Sequence, residues 1–281
     1  MTNRTQLTQL FGPSLLAGAF SLSLAPAALA NPHPLPYSYP YQTLPTGKVE
    51  VEEITDLVPM KVAREKDDGT RDAVTALRSQ LQTELELGVS DRLELALYFS
   101  FHQSASAGTP ALRFDGLKQR LRYRFAEEGD WPVDTGVYFE VAEFYNEVEL
   151  EEKILLHKRF GYLTTVCNLW VEQEYYFQEQ QWKLIYNPTL GASYELSPNL
   201  MLGLEYWARG RFNEPKQSAA DANADSPTGA RHFLGPAILL QSGEAWWSTG
   251  VYARLDHLGE ALKVDDPYGK VWIRTMVGLG F

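Results

Sequence analysis

The sequence predicts an all-β fold, a transmembrane antiparallel up-and-down β-barrel of about 12 strands, on three observations. Apolar and polar residues alternate with a period of two from Gly47 to the last residue, which is the side-chain period of a strand and not of a helix. The alternating runs exceed the about 5–6 residues of an average strand and reach the about 9–11 that a tilted membrane-spanning strand needs. Short and long connections also alternate, as in a barrel with tight turns at one end and loops at the other.

Each strand is placed by its alternation. In 77–89 the apolar residues fall at every second position, and Ser90-Asp91-Arg92 separates this run from the next one, 93–101. An even number of strands places both termini on the tight-turn side. Aromatic residues near turns predict the interfacial girdles of a membrane barrel: Trp131, Trp182, Trp246, Trp247, Trp272, Tyr162 and Tyr176. The predicted strands are 47–59, 77–89, 92–103, 112–125, 133–144, 147–159, 161–175, 182–196, 199–211, 231–242, 244–257 and 271–281.

Composition excludes several classes of protein. The 281 residues include 25 Lys and Arg against 36 Asp and Glu, a net charge of −11. This acid excess argues against nucleic acid as a partner, because binding phosphates needs clustered cations. A mean hydropathy of −0.28 excludes a helical membrane bundle. The single Cys167 allows no internal disulfide and is predicted to be a packed apolar side chain.

The first 46 residues divide into two segments. One early charge, Arg4, then a short apolar core and Ala28-Leu29-Ala30 predict a secretory signal peptide over 1–30. Residues 31–46 form a Pro/Tyr-rich N-terminal segment that we expect in the periplasm. We favour a plain linker for it, and the alternative is a segment that enters and partly fills the barrel interior. Residues 47–281 are then the barrel.

The polar face of the strands carries the candidate functional residues. Arg120, Arg122 and Arg124 form a ladder on one strand, with Glu94 and Glu140 offered by the neighbouring strands. One interpretation is a network of paired charges inside a narrow barrel. The other is that the arginines and the carboxylates set up an electrostatic field across the lumen that selects permeant ions. The predicted lumen and pore lining is Glu84, Glu86, Glu94, Arg120, Arg122, Arg124, Glu140, Lys153, Arg159, Glu205, Arg209, Arg211, Arg254 and Arg274.

We predict no catalytic residues and no enzyme activity. His102 and Ser104 form the single His-x-Ser pair, but parity places His102 on the lumenal face, away from lipid. The histidines are scattered over positions 33, 102, 157, 232 and 257, so no metal site and no cofactor are predicted. Two acidic pairs, Asp265-Asp266 and Asp221 with Asp225, are a weak indication of a calcium-binding site. The polar stretch 212–230 predicts a flexible surface loop, or alternatively a lid over the pore mouth.

Two stretches carry a resemblance to known families. The ending VGLGF at 277–281 resembles the closing strand of bacterial outer-membrane proteins. That resemblance implies a Gram-negative outer membrane, its lipid as a partner, and Phe281 as the signal that the barrel-assembly machinery reads. The run GVSDRLELALY at 88–98 resembles the GLTDRLELGLY hairpin of the outer-membrane family associated with phenol meta-cleavage pathways, which implies uptake of small organic molecules.

The predicted function is a passive porin-like channel for small solutes, including small organic or aromatic compounds, through a narrow charged lumen. Two alternatives stay open. One is a plugged barrel with a structural or surface-interaction role, and the other is a barrel enzyme that modifies lipid.

Overall fold

The chain folds into one closed antiparallel β-barrel. The computed structural model describes residues 30–108, 111–213, 230–256 and 258–281. The predicted signal peptide, apart from Ala30, and residues 214–229 of the predicted loop therefore lie outside the described residues. The strands are β1 (Val49–Glu65), β2 (Arg71–Ser90), β3 (Leu93–Gln103), β4 (Arg113–Arg124), β5 (Asp134–Phe144), β6 (Glu147–Phe160), β7 (Leu163–Tyr176), β8 (Gln181–Tyr186), β9 (Thr189–Ser197), β10 (Leu200–Arg211), β11 (Arg231–Ser242), β12 (Ala245–Arg254) and β13 (Val271–Gly280).

Neighbouring strands pair in chain order, and the last strand pairs with the first. The β1–β13 register runs from Glu50 opposite Gly280 to Leu57 opposite Ile273, which closes the sheet and leaves no open edge. β8 and β9 both pair with β7, so together they form one strand of the wall. The predicted all-β barrel of 12 strands is confirmed.

Two strand boundaries differ from the prediction. The long connection expected over 60–76 is instead a hairpin, because the alternation continues and β1 pairs with β2 as far as Glu65 opposite Arg71. The strand expected over 182–196 is interrupted at Asn187 and Pro188. Proline has no N–H to donate to the ladder, although its carbonyl still accepts a hydrogen bond from Ala208 N at 3.1 Å.

The two faces of the wall are those that the alternation predicts. Leu85, Phe139 and Leu204 are 46%, 43% and 55% exposed on the outside, whereas Glu84 and Glu205 are fully buried on the inside. An apolar exterior with a polar interior is the arrangement of a membrane barrel and the reverse of a soluble one. Among the described residues, no helix is long and apolar enough to cross a membrane.

The aromatic residues near turns divide between the two faces. Trp131 and Trp182 are 43% and 55% exposed on the outer surface, as the girdle prediction requires. Trp246 is instead 2% exposed, and Trp272 packs into an interior aromatic cluster. These two tryptophans stand at inward positions of β12 and β13, so they belong to the lumen and not to a girdle.

Candidate functional site in the barrel lumen

The N-terminal segment, residues 30–46, lies inside the barrel. Leu35, Tyr37, Tyr41 and Leu44 are each 1–4% exposed, as buried as core residues. The favoured linker interpretation is therefore wrong, and the alternative, a segment that enters the interior, describes its position. An extended proline-rich chain forms few hydrogen bonds within its own backbone. Its backbone groups therefore need hydrogen-bond partners on the lumenal wall.

The segment enters and leaves at the tight-turn end. Asn31 N donates to Glu50 Oε2 at 2.8 Å near the start of β1. At the other end of the segment, Thr46 N and Oγ1 donate to Asp91 Oδ1 at 3.0 and 2.6 Å. These hydrogen bonds lower the pKa of the exposed Asp91 carboxyl, with the Thr46 hydroxyl the larger cause. The segment is thus a bend whose two ends meet the barrel at its tight turns.

Three wall side chains hold the backbone of the segment between its ends. Glu205 accepts from Tyr37 N at 3.1 Å and from Ser38 N at 2.5 Å. Asn168 accepts from Tyr39 N at 2.7 Å and donates to Tyr39 O at 3.1 Å. Glu94 accepts from Leu44 N at 2.7 Å. Because buried backbone groups must be paired, these side chains fix the path of the segment.

Aromatic packing fixes the deepest point of the segment. The Tyr37 ring stacks on Trp207 with 4.4 Å between centroids, and Trp207 stacks on Phe233 at 4.0 Å. The Arg274 guanidinium lies 3.8 Å from the Tyr37 centroid and also forms two hydrogen bonds to Asp56, at 2.7 and 2.6 Å. Stacking and cation–π contact both add to the area buried, so Tyr37 is an anchor of the segment.

Two glycines make room for Leu35. A Cβ atom at Gly191 of β9 would lie 2.6 Å from Leu35 Cδ1, and one at Gly203 of β10 would lie 2.7 Å from Leu35 Cδ2. Real Cβ atoms essentially never show contacts this short, so a side chain at either position would force the end of the Leu35 side chain to shift. The wall is therefore shaped to accept this side chain.

At the tight-turn end, the predicted arginine ladder forms a buried charge network. Arg120 contacts Glu84 at 2.9 Å and Glu86 at 2.6 Å, and it also contacts Glu94. Arg122 contacts Glu94 at 2.6 Å. Arginine suits such sites because its planar fork can donate to several carboxylates at once.

Arg124 does not join this network. Its guanidinium donates to Asp91 O at 2.7 Å and pairs with Glu127 at the following turn. Arg159 likewise lies outside the lumen: it pairs with Glu195 at 2.9 Å and its side chain is 48% exposed. The predicted ladder is therefore divided between the lumen and the rim.

His33 of the segment faces the β1 side of this network. Its Nε2 lies 3.7 Å from Glu52 Oε1, and its ring stacks on Trp246 with 5.5 Å between centroids. Burial, and next the charge of Arg122, lower the pKa of His33 to about 3. The imidazole is therefore neutral at physiological pH.

A cavity of about 520 Å³ occupies the loop end of the lumen, above the segment. Aromatic rings from the segment and the wall, including Tyr39, Trp170 and Trp207, line it together with charged side chains of both signs. His102 and Ser104 are among the lining residues, and His102 Nδ1 lies 3.1 Å from Asp115 Oδ1. The carboxylates of the lining are Asp56, Asp115, Glu140, Glu147, Glu149, Glu151, Glu172 and Glu174, and its cations are Arg78, Lys118, Arg209 and Arg274.

Three of the remaining predicted lumen residues form ion pairs. Glu140 accepts from Lys118 Nζ at 2.9 Å, and Arg209 donates to Glu172 at 2.6 and 2.8 Å. Arg254 pairs with Asp266 at 2.8 Å, which occupies one of the carboxylates considered for calcium. Arg211 is 3% exposed, and its three guanidinium nitrogens form no hydrogen bond within the described residues.

Lys153 occupies an aromatic cage. Its ammonium lies 3.6 to 3.8 Å from the ring centroids of Tyr138, Trp170 and Tyr39 and pairs with Glu151. Since Tyr39 comes from the segment, this cation–π contact ties the segment to β6.

Sequence reasoning missed the segment's own contribution to the site. The linker interpretation places His33, Tyr37 and Tyr39 outside the barrel and therefore predicts no contacts between them and the wall. The sequence does allow Glu50 and Glu52 to be predicted as lumen-facing residues, because both fall in the polar phase of the first strand.

Comparison with solved structures identifies the class of the barrel. The COG4313 outer membrane channel from Pseudomonas putida F1 aligns with a TM-score of 0.59 at 12% identity, covering 86% of this chain and 98% of that chain. The fold is that of an outer-membrane β-barrel. The NanC porin aligns with a TM-score of 0.50 at 8% identity, covering 83% of this chain and 98% of that one. No protein-family model and no curated protein sequence matches the chain.

Proposed function

We propose that the protein is a passive outer-membrane channel for small organic solutes, with a lumen constricted by residues 30–46. The observation that carries the proposal is the cavity of about 520 Å³ at the loop end of a closed barrel, lined by charges of both signs and by aromatic rings. A small molecule with a flat ring and a polar or charged group would find both kinds of contact there.

The proposal includes the cellular location. Export by the predicted signal peptide 1–30 and assembly through Phe281 would place the barrel in the outer membrane. Phe281 N donates to Val49 O at 2.8 Å, and its side chain is 61% exposed. That exposed ring supports a role as the residue that the assembly machinery recognises.

Planar-bilayer recording of the purified protein tests the channel. A shift in gel mobility between unheated and heated samples would first establish that the barrel is folded. We expect discrete conductance steps. No steps from folded protein at any salt concentration would remove the channel function.

The second candidate is a closed barrel with a structural or surface-interaction role. It is favoured by the anchoring of the segment through Glu205, Asn168 and Glu94. Deleting residues 31–46 behind an intact signal peptide separates the two candidates. A channel constricted by the segment conducts before deletion and more after it, whereas a barrel closed by the segment conducts only after deletion.

A further inference from the structure

The tight-turn end of the lumen contains more buried negative charge than its cations balance. Five carboxylates are fully buried there, and the residues Arg120 and Arg122 are 2% and 0% exposed. With every side chain ionised, this set carries a charge of 2 − 5 = −3, and the Asn31 amine that cleavage after Ala30 would create beside Glu50 would reduce the excess to −2. Buried charge that lacks a partner is costly, so a further cation or protons must compensate it. The carboxylates are Glu50, Glu52, Glu84, Glu86 and Glu94.

The strand register places much of this excess negative charge between β1 and β2. Glu50 lies directly opposite Glu86 between β1 and β2, and Glu52 lies directly opposite Glu84. Like charges at directly opposed positions repel each other. The two arginines stand on β4 and contact the β2 and β3 carboxylates, so the β1 side has the greater need of positive charge.

One group of three side chains meets on that side. A ligand atom from each of His33, Glu52 and Glu86 lies within 4.8 Å of the others, and all three residues are buried. Within the part of the chain that the structure describes, His33 Nε2, both Glu52 oxygens and Glu86 Oε2 form no hydrogen bond. Buried polar atoms are nearly always paired, so these unpartnered atoms point to a bound species.

We propose that His33, Glu52 and Glu86 bind a divalent transition-metal ion, for which Zn²⁺ has the best-matched ligand preferences. One imidazole nitrogen with two carboxylates is a donor set that Zn²⁺ uses, whereas Ca²⁺ and Mg²⁺ prefer oxygen alone. The 3.7 Å between His33 Nε2 and Glu52 Oε1 is near the about 3.3 Å between ligands of a tetrahedral Zn²⁺ with bonds of about 2.0 Å. Its charge of +2 would compensate the excess of −2 that remains beside the Asn31 amine.

This ion would connect the N-terminal segment to the wall. His33 belongs to the segment, while Glu52 and Glu86 belong to β1 and β2. The stacking of His33 on Trp246 holds the imidazole toward the carboxylates, as supporting contacts do around metal ligands. Metal binding and docking of the segment are therefore coupled.

Calorimetric titration of the folded, tag-free, metal-stripped full barrel with Zn²⁺ tests the proposal. We expect one Zn²⁺ per chain. His33→Gln and Glu52→Gln should each weaken binding by about 100-fold or more, since each removes a direct ligand. The control His232→Gln should bind as the wild type does, because His232 Nδ1 meets Tyr206 Oη at 2.6 Å in a separate contact. The gel-mobility shift on heating confirms that each variant is folded.

Co²⁺ provides a second measurement that does not depend on conductance. Its visible absorption should report a nitrogen-containing site in the wild type and lose that signature in His33→Gln. The proposal is overturned if the folded wild type binds no stoichiometric Zn²⁺, or if His33→Gln binds it with wild-type affinity. Protons would then neutralise the carboxylates, and the channel function would stand unaffected.

Discussion

Several charged residues inside this barrel depend on specific partners. Arg120 is the clearest case, since one guanidinium contacts the carboxylates of Glu84, Glu86 and Glu94 in a fully buried site. Replacing an entire buried ion pair can cost little, but removing one partner leaves uncompensated charge. The arginine is therefore required because the three glutamates are present.

Substituting Arg120→Met should destabilise the barrel by about 3–5 kcal/mol, because Glu84 then loses its arginine partner and the buried carboxylates repel each other more strongly. Urea unfolding in lipid vesicles measures this loss. Arg64→Met is the matched control, since Arg64 pairs with Asp72 at 2.6 Å on the surface and surface pairs contribute little. Equal losses in the two variants would contradict the network described here.

The neutral His33 makes docking of the segment sensitive to acid. Its pKa is about 3 in the docked state and 6.5 when free, so below pH 6.5 the undocked segment binds a proton that the docked one does not. Docking therefore weakens as pH falls from 6.5 towards 3, by up to about tenfold per unit. The charged groups around the ring are Glu52, Glu86, Arg120, Arg122 and Arg274.

Hydrogen–deuterium exchange of the chelator-treated protein measures the pH dependence of segment docking. The readout is the protection factor of each segment amide, calculated against a free peptide at the same pH. His33→Gln should flatten the fall in protection between pH 6.5 and 3, and His232→Gln should leave it unchanged. A His33→Gln variant with the full wild-type slope would show that other groups cause the effect.

At the scale of elements, the N-terminal segment is the part that the sequence described least well. Its proline and tyrosine content fits an exposed linker as well as an interior chain, because composition does not say where the partners are. Those partners, Asn168 and Glu205, lie 129 and 168 residues away. Only the folded barrel brings them together at the segment.

Gly203→Val should displace the segment while leaving the wall paired, because the new side chain would occupy the space of Leu35. Loss of leucine burial costs about 1.5–3 kcal/mol, so exchange of the Tyr37 and Ser38 amides should accelerate about 10- to 100-fold. The control is Leu204→Val at the next position, which faces outward and is 55% exposed. If both variants keep wild-type exchange, Leu35 is not an anchor.

At the scale of the whole molecule, the number of strands, the barrel closure and the two faces could be predicted, because each follows from a period-two pattern repeated along the chain. The polar phase also predicts that Glu84, Arg120 and Glu205 point inward, and all three are buried. Their pairings could not be predicted, since register and shear decide which charges meet. The break at Asn187 and Pro188 was missed because the pattern continues on both sides of it.

The channel should prefer cations, because the cavity lining has eight carboxylates against four lysine and arginine side chains. The reversal potential across a salt gradient measures this preference, which should weaken as salt screens the charges. Asp115→Asn, in the lining, should reduce selectivity, whereas Glu143→Gln, at an exposed position of β5, should not. Anion preference in the wild type would contradict this reading of the cavity.

The long sequence separation of the segment's contacts also constrains the order of assembly. Glu205 accepts from Tyr37 N and from Tyr252 Oη, and Trp246 stacks on His33. These residues come from β10 and β12, so their places around the segment exist only after nearly the whole chain has been threaded into the sheet. These contacts of a stretch near the beginning of the polypeptide therefore form only after β12 has joined the sheet.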